Sequence, residues 1–292
     1  MDTPAARSAH PSGGARHRRV GSLAGSGPPK VSDHGCAGYS TDQERARLAV
    51  DWMVAGLELG QRCLYVGEGP HDALLAELPA VLALDVALGS GALSVMSSSE
   101  VYDVTAPTDP ESQLAVYAAT VNRAVADGFA GLRVVADITP LVVDPARRPA
   151  HLRWEQVADR YMTDHPMAPL CLYDARRVDG LDAVMCVHPV QRVDNPTFAL
   201  YGVGPGRAAV AGDLDGSVRH AVEEALAALP DTDESLDLSA LTFADGRGVS
   251  ILHAALHRRR DVLRPLRFTG ATHHFRKVWE LCGYDPSLLE AA

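Results

Sequence analysis

Two sets of residues in this chain have types and spacings that chemistry could use. The first is spread over strand-like segments: His34, Cys36, Cys171 and His188, with Tyr39, Glu68, Asp137, Tyr173 and Asp174 at or near predicted strand ends. Imidazole nitrogens and thiolates are the donors of a metal or haem pocket. Carboxylates at strand ends are the groups that an acid–base or nucleotide site would perturb. The second set is local. In LDLSALTFADGRGVSIL (236–252), alternating apolar residues run into Asp245, Gly246 and Gly248 and then into a helical pattern. A glycine-bearing loop between a strand and a helix is a common seat for phosphate.

Neither set matches a known catalytic spacing. A phosphate loop needs GxxxxGK[ST], in which amides cradle the phosphates and a lysine supplies charge. The chain has only Lys30 and Lys277, and neither lies in a glycine loop. The junction HGCAGYSTDQE (34–44) stands where such a loop would be, but it offers Tyr39, Ser40, Thr41 and an acidic Glu44. Negative charge at a helix start repels phosphate. GVGPG (202–206) is interrupted by Pro205 with no helix after it, so it reads as linker. No GxSxG or HExxH occurs. His34, Cys36, Cys171 and His188 are expected to converge at one end of a sheet, either as a pocket or as two buried thiols and two satisfied histidines. Without paired spacing the second reading is taken, and neither metal nor cofactor is expected.

These residues need elements to position them. Thr41 and Glu44 fit a capping box, as do Ser40 and Gln43, opening a helix with Leu48, Trp52, Ala55 and Leu59 on one face. CLYVGEGP (63–70) and ALSVM (92–96) read as strands, and a helix between them runs through Leu74, Leu75, Leu78 and Leu82. Asp109-Pro110 opens a helix faced by Leu114, Tyr117, Val121 and Val125. GLRVVADITPL (131–141) is a buried strand ending at Asp137, and APLCLYD (168–174) another, with a helix around LRWEQVADRYM between them. Leu181, Val184, Met185 and His188 follow a helical period up to Pro189. After a Pro- and Gly-broken stretch at 194–207 comes a second series. It holds a strand in AAVAGDLDG, helix VRHAVEEALAAL, strand SLDLSAL, loop TFADGRG and helix VSILHAALHRRRDVL with Val249, Leu252, Leu256 and Leu263 inward. Strand LRFTGA and helix HHFRKVWELCGY complete it. Strands alternating with helices predict α/β architecture with a mostly parallel sheet.

The net charge of −10 argues against nucleic acid as a partner, and no apolar run approaches a membrane span. Residues 1–30 are rich in Gly, Ser, Pro and Arg and are expected to be a disordered tail, with Arg16, Arg18 and Arg19 the only support for a weakly basic tether. The five cysteines include no CxxC pair, which fits reduced thiols in a cytoplasmic protein.

Residues 33–192 resemble the MEDS domain, the sensory domain of methanogen, methylotroph and dichloromethane-regulator proteins. The resemblance rests on DHGCAGYSTDQERARLAVDWMVAGLELGQRCLYVGEG, GFAGLRVVADITPL, LCLYD and VHP…NP. It implies a RecA/KaiC-like core without its P-loop, Asp137 in the metal-Asp position of that core, and a small-molecule ligand. Residues 198–292 resemble the STAS domain of anti-sigma-factor antagonists through RAAVAGDLDGS, SLDLSALTFADGRGVSILHAAL and PLRFTGATHHFRKVWELCGYD. That resemblance implies docking on a kinase-type anti-sigma factor through Asp245, Gly246, Arg247, Gly248 and the following helix, broken in relatives when a Ser after the Asp is phosphorylated. Here Gly246 replaces that Ser, leaving Ser239, Thr242 and Ser250 as nearby hydroxyls; Gly246 would also ease a turn with positive φ.

The expected organisation is therefore a tail (1–30), a MEDS-like sensory domain (31–192), a linker and start of the next domain (193–207), and a STAS-like domain (198–292). The expected function is a cytoplasmic, non-enzymatic signalling regulator. A ligand should bind beyond the carboxyl ends of the first sheet, near Cys36, Tyr39, Glu68, Asp137, Tyr173 and Asp174. The alternatives are a RecA-like nucleotide-binding enzyme and a stressosome-like STAS scaffold.

Overall fold

The structure, a computed structural model, describes residues 18–23, 29–78, 84–193, 197–259 and 266–290. Most of the expected tail, with Arg16, lies outside the described residues, as do Leu82 and Leu263. The first sheet is built from β1 (Gly21–Ser22), β2 (Gly35–Tyr39), β3 (Arg62–Gly67), β4 (Leu93–Ser97), β5 (Leu132–Asp137), β6 (Met167–Asp174) and β7 (Val190–Gln191). Their order is β1-β7-β2-β6-β5-β3-β4, every pair parallel. The connections carry α1 (Asp42–Glu58), α2 (His71–Ala76), α3 (Leu84–Gly89), α4 (Ser98–Val101), α5 (Pro110–Ala126), α6 (Thr139–Val142), α7 (Arg148–Tyr161) and α8 (Leu181–Met185). β5 and β6 are buried along their whole length, as strands covered on both faces must be.

Of the two capping registers, Thr41 is the one used: its hydroxyl accepts from the Glu44 amide at 3.1 Å, and the Glu44 carboxylate accepts from the Ser40 amide at 3.0 Å. The buried face of α1 is Leu48, Ala49, Trp52, Met53 and Gly56; Leu59, expected on it, is exposed past the helix end. Gly56 is there because the fully buried Arg133 of β5 lies against it, its Cδ 2.4 Å from where a Cβ would sit. Arg133 stacks on Trp52, with 4.8 Å to the ring centroid, and donates to Gln61 Oε1 at 2.8 Å.

A second sheet follows, from β8 (Phe198–Gly204), β9 (Arg207–Leu214), β10 (Ser235–Ala244) and β11 (Arg267–Thr269), in the order β11-β10-β9-β8. β8 pairs antiparallel with β9 and the other pairs are parallel. Its helices are α9 (Arg219–Ala227), α10 (Gly246–Arg258) and α11 (His273–Leu281). One apolar core runs from Val134, Cys171 and Tyr173 of the first unit through Leu226 to Leu252 and Trp279 of the second.

Four expectations change. Residues 18–23 are not tail: Gly21–Ser22 adds an edge strand beside β7. GVGPG is not linker: it holds the end of β8 and, at Pro205-Gly206, the turn into β9, with Gly206 at φ +67. α8 stops at Met185, so His188 is not on a helix; its amide bonds Met185 O at 3.0 Å in a turn leading to β7. TFADGRG is not a loop: β10 runs through Ala244, Asp245 caps α10 by accepting from the Gly248 amide at 2.8 Å, and Gly246 is already helical.

That junction fixes which glycine is needed. Gly246 is absent from the positive-φ glycines, and a Cβ there would meet only Cys282 Sγ at 3.5 Å. A Cβ on Gly248 would lie 2.1 Å from the Leu214 carbonyl oxygen at the end of β9. Gly248→Ala should therefore destabilise the second unit by about 1–3 kcal/mol, the usual cost of overpacking a close contact. Gly246→Ala should leave it within about 0.5 kcal/mol. Denaturation followed by the fluorescence of Trp279, compared between the two variants, checks this.

Candidate functional site

α7 carries His151, Glu155 and Asp159 at a spacing of four, so the three side chains share one face. That face packs on the first sheet where β2 and β6 pair, with Cys36 opposite Cys171 and both side chains on the α7 side. His34 precedes β2 and His188 precedes β7; pairing of these strands brings the two rings to 4.4 Å between centroids. His34, Glu155, Cys171 and His188 are all buried, and one donor atom from each lies within 4.8 Å of the others.

Glu155 is the hub. Its carboxylate is 3.2 Å from His34 Nε2, 3.1 Å from His151 Nε2 and 3.5 Å from His188 Nε2, and Cys171 Sγ donates to it at 3.6 Å. Burial works to raise its pKa, but His151, His188 and His34 hold it well below the usual carboxylate range. Asp159 is fully buried too, and its ion pair reaches across the molecule. His34 Nδ1 lies 2.8 Å from Oδ1, Arg18 donates to Oδ1 at 2.6 Å and Oδ2 at 2.7 Å, and the Gly202 amide donates to Oδ2 at 2.5 Å. Burial opposes this charge as well, and Arg18 and His34 keep its pKa far below normal. Burial pulls the other way on the imidazoles. Against it, Asp159 and Glu155 raise the pKa of His34, while Cys36 and Glu155 bring that of His188 up to about 9. Burial pushes the thiols of Cys36 and Cys171 up.

The remaining predicted ligand residues form a separate group at the carboxyl edge. Asp137 accepts from Tyr39 OH at 2.7 Å and from the Thr139 amide at 3.1 Å, while burial raises its pKa. Asp174 pairs with Arg176, which lowers its pKa, and Glu68 pairs with Arg177 at 2.5 Å. A cleft beyond this edge is lined by Glu68, His71, Ser97, Glu100 and Pro140. So the expected single site divides: His34, Cys36, Tyr173 and His188 lie beneath α7, while Tyr39, Glu68, Asp137 and Asp174 lie at the strand ends. Cys36 is only the second residue of β2, far from the carboxyl end where it was expected.

Sequence reasoning missed Arg18, His151, Glu155, Asp159 and Gly202. The available signal was the polar series His151, Glu155, Asp159 at helical spacing within HLRWEQVADRY. Neighbouring stripes of α7 hold the second unit. Gln156 Nε2 donates to Ala225 O at 2.8 Å, Arg160 pairs with the fully buried Asp233, and Arg153 pairs with Asp231 at 2.8 Å.

At the start of α10, Thr242, Phe243, Gly246 and Arg247 are exposed, Asp245 and Ser250 are half-buried and Gly248 is buried. The Thr242 hydroxyl donates to Asp213 Oδ1 at 2.5 Å. The Ser250 hydroxyl donates to Gly246 O at 2.7 Å and accepts from Tyr284 OH at 2.9 Å. Ser239 lies in β10, exposed, with its amide bonded to Asp237 Oδ1 at 2.8 Å.

Removing Arg18 would leave Asp159 buried without its main counter-charge. Arg18→Ala should cost about 3–5 kcal/mol, as for other broken buried pairs. Arg153→Ala, whose partner Asp231 is 72% exposed, should cost at most about 1 kcal/mol. Chemical denaturation of both variants against the parent chain tests the contrast.

Comparison with known proteins agrees with this division. Residues 205–290 match the family model described as "Mlab, STAS domain". No curated protein sequence matches the chain. Among the described residues, no helix is long and apolar enough to cross a membrane. A sensory domain joined to a STAS domain is the make-up of a regulatory signalling protein. Residues 33–189 match the model of the MEthanogen/methylotroph, DcmR Sensory domain, more than half of the chain, and the protein belongs to that MEDS family.

Proposed function

We propose that the protein is a cytoplasmic switch component whose MEDS domain receives a small-molecule or protein signal, and whose STAS domain docks a kinase-type anti-sigma factor through the start of α10. The observation that carries this reading is the exposed surface there. Phe243 is 44% exposed beside Gly246 and Arg247, its ring stacked on the exposed His274 at 6.0 Å between centroids rather than seated in the core. Exposed aromatic and Arg side chains of this kind are typical anchors of protein interfaces. The two units share one core and the Arg160–Asp233 ion pair, which supports passage of a signal between them through α7. A small ligand would enter the cleft beyond the carboxyl edge, at Glu68 and His71.

In this reading the docking surface carries no covalent off-switch. Residue 246 has no hydroxyl, and the hydroxyls of Thr242 and Ser250 are already engaged within the chain. Control then comes from the MEDS domain. The reading as a nucleotide enzyme is weaker. The amides of Ser40 and Glu44, where a phosphate would be cradled, are taken by Glu44 and Thr41, and Asp137 is capped by Tyr39.

The test uses the anti-sigma kinases of the native cell. With kinase and ATP, the parent chain should take up no phosphate, whereas Gly246→Ser should be labelled at residue 246. Gly246→Asp adds negative charge where a helix start tolerates it, so it should fold normally. It should nonetheless weaken kinase binding by about tenfold or more, as charge buried in an interface does. Phosphate on Thr242 or Ser250 of the parent chain would overturn the unswitched version. Absence of binding to every such kinase would overturn the partner.

A further inference from the structure

The cluster beneath α7 has the geometry of a closed metal site. His34 Nε2 and Glu155 Oε2 are 3.2 Å apart, and His188 Nε2 is 3.5 Å from the same oxygen. Cys171 Sγ is 3.7 Å from that oxygen and 3.9 Å from His34 Nε2. A tetrahedral ion with bonds of about 2.0–2.1 Å to nitrogen and oxygen and about 2.3 Å to one sulfur has donor–donor edges of about 3.3–3.6 Å. These four of the six edges fall within a few tenths of an ångström of those values, and the other two, from His188 to His34 and to Cys171, are no longer than 4.8 Å, so the His188 ring moves inward on binding. We infer that His34, Glu155, Cys171 and His188 bind one divalent transition-metal ion of borderline softness, with zinc the best fit, in a structural site.

Three further observations support this. His188 is fully buried, yet apart from the long ionic contact of Nε2 with Glu155 at 3.5 Å neither ring nitrogen completes a hydrogen bond among the described residues. Unpartnered buried polar groups are costly and rare, and a metal bond supplies the missing partner. His34 turns its other nitrogen to Asp159, the carboxylate–histidine arrangement that fixes the tautomer and orientation of a metal-bound imidazole. The donor set also matches in kind: two imidazoles, a thiolate and a carboxylate suit zinc and disfavour magnesium or calcium, which take oxygen ligands. A dication with one thiolate and one carboxylate is neutral, so its burial carries no net charge.

Ligation requires a thiolate and neutral imidazoles. Binding therefore releases the Cys171 proton and any protons held by His34 and His188, with no change of oxidation state. Four protein ligands leave no open position for a substrate water. The inference does not rest on the docking reading. A cluster held only by hydrogen bonds would leave that reading intact, and loss of kinase binding would leave the metal site intact.

The test is to unfold the full chain with chelator and refold it with Co²⁺ as probe. One Co²⁺ should bind per chain, giving the visible absorption of a tetrahedral ion and a near-ultraviolet thiolate band, and Zn²⁺ should displace it. Cys171→Ser should abolish the thiolate band. Cys63→Ser, a buried thiol on the opposite face of the sheet, should retain it. Asp159→Asn should weaken binding by about 10–100-fold, as loss of an outer partner does. A thiolate band that survives Cys171→Ser overturns the inference. If that variant does not fold, the parent chain decides. Purified from zinc-supplied cells without chelator, it should carry one zinc ion; a folded chain that holds no transition metal and takes up no Co²⁺ overturns the inference.

Discussion

A carboxylate with no access to solvent must be matched by charge and hydrogen bonds from the protein, or the fold that buries it is lost. Asp159 imposes that requirement here. Its four contacts come from three regions distant in sequence: Arg18 ahead of the first sheet, His34 at the start of β2, and the Gly202 amide in β8. Arg18 also donates to the Gly202 carbonyl at 2.7 Å, so the same guanidinium fastens the second unit as well as the first. The N-terminal arm, α7 and β8 are thus tied together at one charge.

α7 acts as the wall between the two units rather than as a covering helix of one. Its His151–Glu155–Asp159 stripe faces the first sheet, and Gln156 and Arg160 reach the second unit. Arg160 packs against Gly202 so closely that a Cβ at Gly202 would lie 2.9 Å from its Cγ. The apolar core passes around this wall without a break. Domains joined this way differ from domains on a flexible linker, where relative motion is the default. Contacts run without a break from Asp159 beneath α7 to β8, from β8 to β9, and from the end of β9 to Gly248 at the start of α10.

At that start, two glycines two residues apart do different things. Gly248 permits the first turn of α10 to lie against the end of β9, which sets the angle at which the helix leaves the sheet. Gly246 meets no such demand, since its φ is ordinary and a Cβ there would make only ordinary contact with Cys282 Sγ. The fold therefore does not require glycine at residue 246.

Much of the architecture was legible in the sequence, because it rests on local pattern. Short continuous apolar runs such as LRVVAD and APLCLYD read as strands buried on both faces, and Thr41 and Asp109 announce helix starts through short-range capping bonds. The motif blocks likewise placed the MEDS and STAS regions in order. The convergence of His34, Cys171 and His188 could be guessed, but not the carboxylate that unites them. Glu155 and Asp159 look like surface charges of an amphipathic helix, yet their stripe is turned inward to the first sheet, where His34, Cys171, His188 and Arg18 surround it. Arg18 looked like tail for the same reason: nothing local to it orders the chain, and its partner is 141 residues away. Sequence by itself determined most of the strands and helices, since those follow from periodicity and capping within a few residues, while β1 and β8, short of such pattern, escaped it. Only the tertiary structure decided which charges are buried and paired, because burial is set by what packs on top, and here that comes from distant parts of the chain.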